Sequence, residues 1–193
     1  MKYPLAQLFA NFRAHHRSDG PEFAACAAAD ECITIETVEV SVDLSFDEVN
    51  RLVAAANTAR WRSADVDDEP AAYAERRLHE LFATRHTLAV YGTLAPGRPN
   101  HHVVAPLGGD WTDGVIEGDL FPEGWGATLG YPACRPRAGG PSVPVKVLSA
   151  PALAAAWPAI DRFEGPGYRR ILVPVLTRER RLYTVANLYA AAG

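Results

Sequence analysis

From Thr87 onward the apolar residues of this chain come in short runs cut by glycine and proline, and that punctuation constrains the fold more than anything else in it. Runs of this length, flanked by turn residues, suit strands better than helices. Strands are expected from Thr87 and over 115–121, 143–148, 170–176 and 182–188. One stretch breaks the pattern. Across 151–164, Leu153, Ala156, Trp157, Ile160 and Phe163 recur at helical spacing, and Gly165-Pro166 ends the run. Many short strands with one or two packed helices make an α+β chain: a small mixed β-barrel or curled sheet with helices against it.

Before residue 85 the periodicity is different. Leu5, Leu8, Phe9 and Phe12 form a stripe on a helix over 3–17, Gly20-Pro21 interrupts it, and a short alanine-rich helix is expected over 22–29. Residues 33–44 alternate like a strand, with a slip of phase between Ile35 and Val38 that a bulge would produce. Ser45 and Glu48 have the spacing of a capping box, with Val49, Leu52, Val53 and Ala56 as the apolar face of the helix it opens. Residues 63–69 are acidic and turn-like, Pro70 suits a first helical position, and 73–83 has helical spacing. The chain therefore divides near residue 85, into a mainly helical N-terminal extension with one strand (1–85) and a second domain (86–193). The apolar helix faces favour docking, because isolated helices of this length are marginal in water.

Composition narrows the function classes. A chain of 193 residues with 48% hydrophobic and 22% charged residues can bury a core and is not expected to be disordered. A net charge of −4 with no basic stripe argues against nucleic-acid binding. Arg178, Arg180 and Arg181 read as a solvated hairpin tip. No apolar run reaches the roughly twenty residues that span a bilayer, so no membrane association is expected. Residues 1–12, interrupted by Gln7 and Asn11, are not expected to act as a signal peptide. Three cysteines without CxxC spacing suit a reducing cytoplasm, with Cys26 and Cys32 as lone buried thiols and Cys134 as core or loop filling. His15-His16 and Asn100-His101-His102 lack a third ligand at a useful spacing, so no metal is expected. Ser142 and Cys134 have no evident partner base, and there is no internal repeat.

Two segments carry chemistry. Tyr91-Gly92-Thr93-Leu94 follows the apolar run 88–90; a strand that stops at Gly92 leaves the next backbone N–H groups without ladder partners, available to a carboxylate or carbonyl oxygen. Far downstream, Asp161-Arg162-Phe163-Glu164-Gly165-Pro166-Gly167-Tyr168-Arg169 places Glu164 between an aromatic residue and a tight turn, as a proton-transfer group. Gly97-Arg98-Pro99-Asn100-His101, Gly118-Asp119-Leu120-Phe121 and Gly130-Tyr131-Pro132-Ala133 lie between them. With these five motifs in order, the chain from about residue 88 to 189 resembles the γ-glutamylcyclotransferase-like proteins, of the γ-glutamylamine cyclotransferase type.

The resemblance implies a β-barrel fold and a small γ-glutamyl substrate whose α-amine attacks its own γ-carbonyl, releasing 5-oxoproline and a free amine. It implies no metal or organic cofactor. Glu164 would be the general acid/base, Tyr91, Gly92, Thr93 and Leu94 would bind substrate through the main chain, and Tyr168 would contact it. A glutamate of ordinary pKa is a feeble base for an ammonium, so Glu164 needs a raised value. Phe163 and Asp161 are expected to raise it, Arg162 and Arg169 to oppose. Residues 121–126 are expected to form a loop over the pocket, with Phe121 where the family commonly has tyrosine; Trp125 and Tyr131 are expected either to line the exit side or merely to anchor the loop. Plainer readings stand beside these: Glu164 as a solvated helix end, residues 91–94 as an ordinary strand end, and Tyr168 as a core residue. At the level of function, the competitors are a noncatalytic ligand-binding or protein-interaction module and simple amide hydrolysis.

Overall fold

The structure, a computed structural model, describes residues 45–61, 69–121 and 132–192, with the backbone of two short strands, Lys2–Tyr3 and Val40–Ser41. The chain divides into two compact units, Met1–Ser45 and Phe46–Gly193. In the first, Lys2 pairs with Ser41 and Tyr3 with Val40 in antiparallel register. Tyr3, expected to begin a helix, has its backbone in this ladder instead. The remainder of the helix expected over 3–17, the helix over 22–29 and most of the strand over 33–44 lie outside the described residues, as do His15, His16, Cys26 and Cys32.

The second unit opens with helices α1 (Phe46–Trp61) and α2 (Glu69–Phe82). Val49, Val53 and Ala56 are buried on α1, as the expected stripe requires, while Leu52 is only half-buried. Helix α2 begins at Glu69, so Pro70 falls in its first turn, as expected, where a missing N–H costs nothing. Strands β1 (Thr87–Val90), β2 (Asp110–Phe121), β3 (Ala133–Pro136) and β4 (Ser142–Ser149) follow. Helix α3 (Leu153–Glu164) then leads to the hairpin of β5 (Tyr168–Leu176) and β6 (Leu182–Ala191).

The sheet order is β3-β2-β4-β1-β6-β5, and β5 returns to β2 through Leu176 and Val115, so five strands close a barrel with β3 as an extra edge strand. Among the described residues, only the β1–β6 pairing, Leu88 to Asn187, is parallel. The architecture is the expected α+β class. Strand β2 begins at Asp110 rather than Val115, because its first residues pair with β4 while their side chains stay largely exposed and so lack an apolar signal. Strand β3 was not expected at all; among the described residues its four residues pair only with β2, through Phe121 to Ala133 and Gly118 to Pro136.

Alternation sorts the core into two layers. Ala89, Ile116, Val145, Val173, Ala186, Leu188 and Cys134 fill the barrel. Leu88, Val90, Leu148 and Tyr189 face outward and are covered by Leu153, Trp157 and Ile160 of α3. At the closure there is no room for a side chain on Gly114: a Cβ there would meet Val175 Cγ1 at 2.4 Å.

Closure is local, and the rest of the β5 edge is capped by α1. Asn57 Nδ2 donates to the Leu172 carbonyl at 2.8 Å, and the Leu172 N–H donates to Asn57 Oδ1 at 2.8 Å. This side-chain amide stands where a neighbouring strand would pair. Arg60 Nη1 reaches the Arg170 carbonyl at 3.4 Å, and residue 174 is proline, which has no N–H to satisfy.

Candidate active site

Strand β1 stops at Val90, and the chain folds into a loop whose carbonyls are used internally. The Gly92 carbonyl accepts from Ala95 N–H at 3.3 Å and the Thr93 carbonyl from Asn100 N–H at 3.0 Å. The Leu94 carbonyl accepts from His101 Nδ1 at 3.0 Å. The matching donors are not used: among the described residues, no backbone carbonyl accepts from the N–H groups of Gly92, Thr93 or Leu94. Thr93 and Leu94 are buried, so these donors are shielded from bulk water.

Tyr91 turns its ring toward the barrel interior. Its hydroxyl donates to the Tyr189 carbonyl at 3.0 Å and accepts from Cys134 N–H at 3.1 Å, tying β1, β6 and β3 together. Burial holds this hydroxyl protonated well above the ordinary tyrosine range.

Glu164 is the last residue of α3. Gly165, at φ 73°, ends the helix and donates to the Asp161 carbonyl at 3.0 Å; Tyr168 N–H closes the following turn on the Gly165 carbonyl at 3.2 Å. The six residues singled out from sequence, Tyr91, Gly92, Thr93, Leu94, Glu164 and Tyr168, line one cavity together with Pro132 and Tyr189. Glu164 is half-buried rather than a solvated helix end, and burial pushes its carboxyl up to about 7. Among the described residues no charged group adds to this shift. Asp161 does not supply the expected repulsion, because its carboxylate is engaged elsewhere, and Arg169 turns away to the carbonyls of Arg60 and Trp61 at 3.1 and 2.6 Å.

The family model for gamma-glutamyl cyclotransferase, AIG2-like, matches residues 88–193, more than half of the chain. This chain belongs to that family. Among solved structures, an AIG2-like protein of Mus musculus is 24% identical over 55% of this chain and 77% of that one, with a TM-score of 0.44. YkqA of Bacillus subtilis is 25% identical over 55% of this chain and 35% of its own length, with a TM-score of 0.43. An uncharacterised protein of Pyrococcus horikoshii is 24% identical over 55% and 78%, with a TM-score of 0.41. A comparison with curated proteins finds no match.

In this member of the cyclotransferase family, sequence reasoning missed the wall behind Glu164. Tyr189 donates its hydroxyl to Asp161 Oδ1 at 2.6 Å, and Arg170 holds the same carboxylate in a fork, Nε to Oδ1 at 2.8 Å and Nη2 to Oδ2 at 3.2 Å. Burial works to raise Asp161, but the hydrogen bonds from Arg170 and Tyr189 and the charges of Arg170 and Arg60 outweigh it and keep the carboxyl below its usual value. No local signal marks Tyr189, which reads as one more apolar residue of a strand. Only the β5–β6 register, Arg170 opposite Tyr189, brings the pair to the end of α3.

The remaining candidates fall outside the cavity. His102 Nδ1 lies 3.1 Å from the Pro99 carbonyl, and among the described residues no three His, Cys, Asp or Glu side chains are grouped to hold a metal ion. Cys134 is fully buried, and its thiol is pushed up to about 12, chiefly by burial. The expected hairpin tip is present at 177–181, although Arg180 folds back to Glu117 and to Ser142 Oγ. Residues 122–131, with Trp125, Tyr131 and most of the expected covering loop, lie outside the described residues; Phe121 ends β2 under the guanidinium of Arg135. No helix among the described residues is long and apolar enough to cross a membrane.

Proposed function

We propose that this protein is a γ-glutamyl cyclotransferase-like enzyme that converts a γ-glutamyl amine or γ-glutamyl amino acid to 5-oxoproline and the free amine. The observation that carries the reading is the meeting, in one cavity, of a desolvated carboxyl poised near neutrality with backbone donors that no backbone carbonyl among the described residues accepts. Glu164 takes a proton from the substrate's α-ammonium; the freed amine attacks the γ-carbonyl carbon, forming the lactam C–N bond. As the tetrahedral oxyanion collapses, the bond to the departing nitrogen breaks, and Glu164 returns the proton to that nitrogen. The attacking nitrogen gives up its second proton through the same carboxylate to the free amine, which leaves as an ammonium, so charge, atoms and protons balance with no other reactant.

The N–H groups of Gly92, Thr93 and Leu94 are suited to hold the substrate's anionic oxygen, and donors aimed at developing charge in a water-poor site are among the strongest catalytic devices. Tyr168 lines the cavity beside Glu164 and supplies a further contact. Both reacting groups belong to one molecule, so holding the folded-back rotamer provides effective concentrations on the order of 10⁵ M or more. The reducing cytoplasm is the proposed setting.

The test is mass spectrometry of the purified protein with a panel of γ-glutamyl amino acids and amines, beside Glu164→Gln. 5-Oxoproline is expected from the native protein, with a loss of roughly 10²- to 10⁴-fold in the variant while binding persists. Glutamate as the product would mean hydrolysis instead. Undiminished turnover by the variant would remove Glu164 from its role.

A further inference from the structure

Helix α1 lies outside the segment the family model matches, yet the motif that follows Glu164 grips it. Tyr168 lines the cavity. The next residue, Arg169, donates to the last carbonyls of α1 and stacks over Trp61 with its guanidinium 4.9 Å from the ring centre. A cation on the C-terminal carbonyls of a helix is favourably placed for both hydrogen bonding and the helix dipole.

The contact runs in both directions. Arg60 of α1 donates from Nη1 to Asn187 Oδ1 at 2.8 Å, and Arg170 Nη1 approaches the same oxygen at 3.4 Å. Asn187 is itself fixed, being 1% exposed with its amide nitrogen donating to the Thr87 carbonyl at 3.1 Å. Arg170 lies 4.5 Å above the Trp157 ring and forks onto Asp161, one turn before Glu164, and Asp161 accepts from Tyr189 in the cavity wall. Arg60 is balanced by Glu75 of α2, and its side chain is only 18% exposed. Two cations, two carboxylates and one buried amide thus form a continuous chain from α1 to the end of α3.

We infer that Arg60 is a positioning residue for the cavity: through Asn187 and Arg170 it holds the Asp161–Tyr189 pair, and with it the last turn of α3 that carries Glu164. The N-terminal helices are on this account part of the site's supporting structure. The full role needs guanidinium geometry, since an ammonium keeps the charge but cannot span the Asn187 side chain, Glu75 and the Arg170 carbonyl from one planar fork.

This inference rests on the cavity being the active site, and the experiment separates the two. Arg60→Ala and Arg60→Lys are prepared in the full chain, and the carboxyl carbon of Glu164 and the ring ζ carbon of Tyr189 are followed by NMR, with Tyr183, near the opposite end of β6, as reference. Both cavity resonances are expected to shift in Arg60→Ala while Tyr183 stays in place. Where the native protein turns over substrate, kcat is expected to fall roughly 10- to 100-fold with little change in KM, as misplacement of a catalytic group does. Free guanidinium ion is expected to restore part of it, and Arg60→Lys to be intermediate. Unmoved cavity resonances overturn the inference whether or not the protein is catalytic. Shifted resonances in a protein without turnover uphold it and overturn the enzymatic reading. Should Arg60→Ala fail to fold, Glu75→Gln, which frees Arg60 from its outer partner alone, is read against the same resonances.

Discussion

Glu164 shows how one residue sets function and stability against each other. Its carboxyl is neutral up to about pH 7, because burial penalises the charge. The folded state therefore holds the proton more tightly than the unfolded chain, so stability is fully present below the unfolded value near 4.5 and falls as pH rises through about 7. Glu164→Gln removes this dependence. At pH 8 the variant is expected to be more stable by up to about 3 kcal/mol, and at pH 4 nearly unchanged, in parallel denaturant titrations. In the proposed reaction the ionised form accepts the proton, so kcat/KM should rise through about pH 7, the direction in which stability declines. Tyr91 makes a second, purely structural prediction. Tyr91→Phe leaves the Tyr189 carbonyl and the Cys134 N–H without their hydroxyl partner and should cost about 1–3 kcal/mol in chemical denaturation. Neither role could be assigned from residue type alone, since a tyrosine after a strand and a glutamate at a helix end are both common surface residues.

At the level of elements, α1 is both a helix packed on the barrel and a substitute for a strand. Its buried stripe of Val49, Val53 and Ala56 was legible as an apolar repeat at helical spacing. Asn57 was not, because a polar residue in such a repeat reads as part of the solvated face. Its amide instead completes the hydrogen bonding of Leu172, which is 1% exposed. Asn57→Ala should therefore cost about 1–3 kcal/mol and accelerate hydrogen exchange at the Leu172 amide more than at amides paired within the β5–β6 ladder. Equal protection at Leu172 in variant and native protein would contradict the clamp. Strand β3 was illegible for a related reason: four residues containing two prolines' worth of punctuation nearby carry too little periodicity, and only β2 gives them a partner.

For the molecule as a whole, the family-matched segment and the physically complete unit differ. We propose that residues 86–193 alone leave the β5 edge open at Leu172 and strip Arg169 and Arg170 of their partners on α1. An open edge of this kind invites pairing with another chain. A fragment of residues 86–193 is expected to self-associate in light scattering or to unfold without a cooperative transition, whereas residues 46–193 should unfold cooperatively; a stable, dispersed 86–193 would show that α1 and α2 are dispensable. The amino-acid order by itself determined the α+β class, the change of periodicity near residue 85, α1, most of the barrel strands and the six residues that meet in the cavity, because strand and helix periods, turn residues and a family's motif spacing are local properties. Tertiary structure alone decided the barrel's closure through Val115 and Leu176, the use of Asn57 and Arg60 on the β5 edge, and the Asp161–Tyr189 wall behind Glu164. Those depend on register between strands far apart in the chain, and on burial, which turns an ordinary glutamate into a carboxyl poised near neutrality.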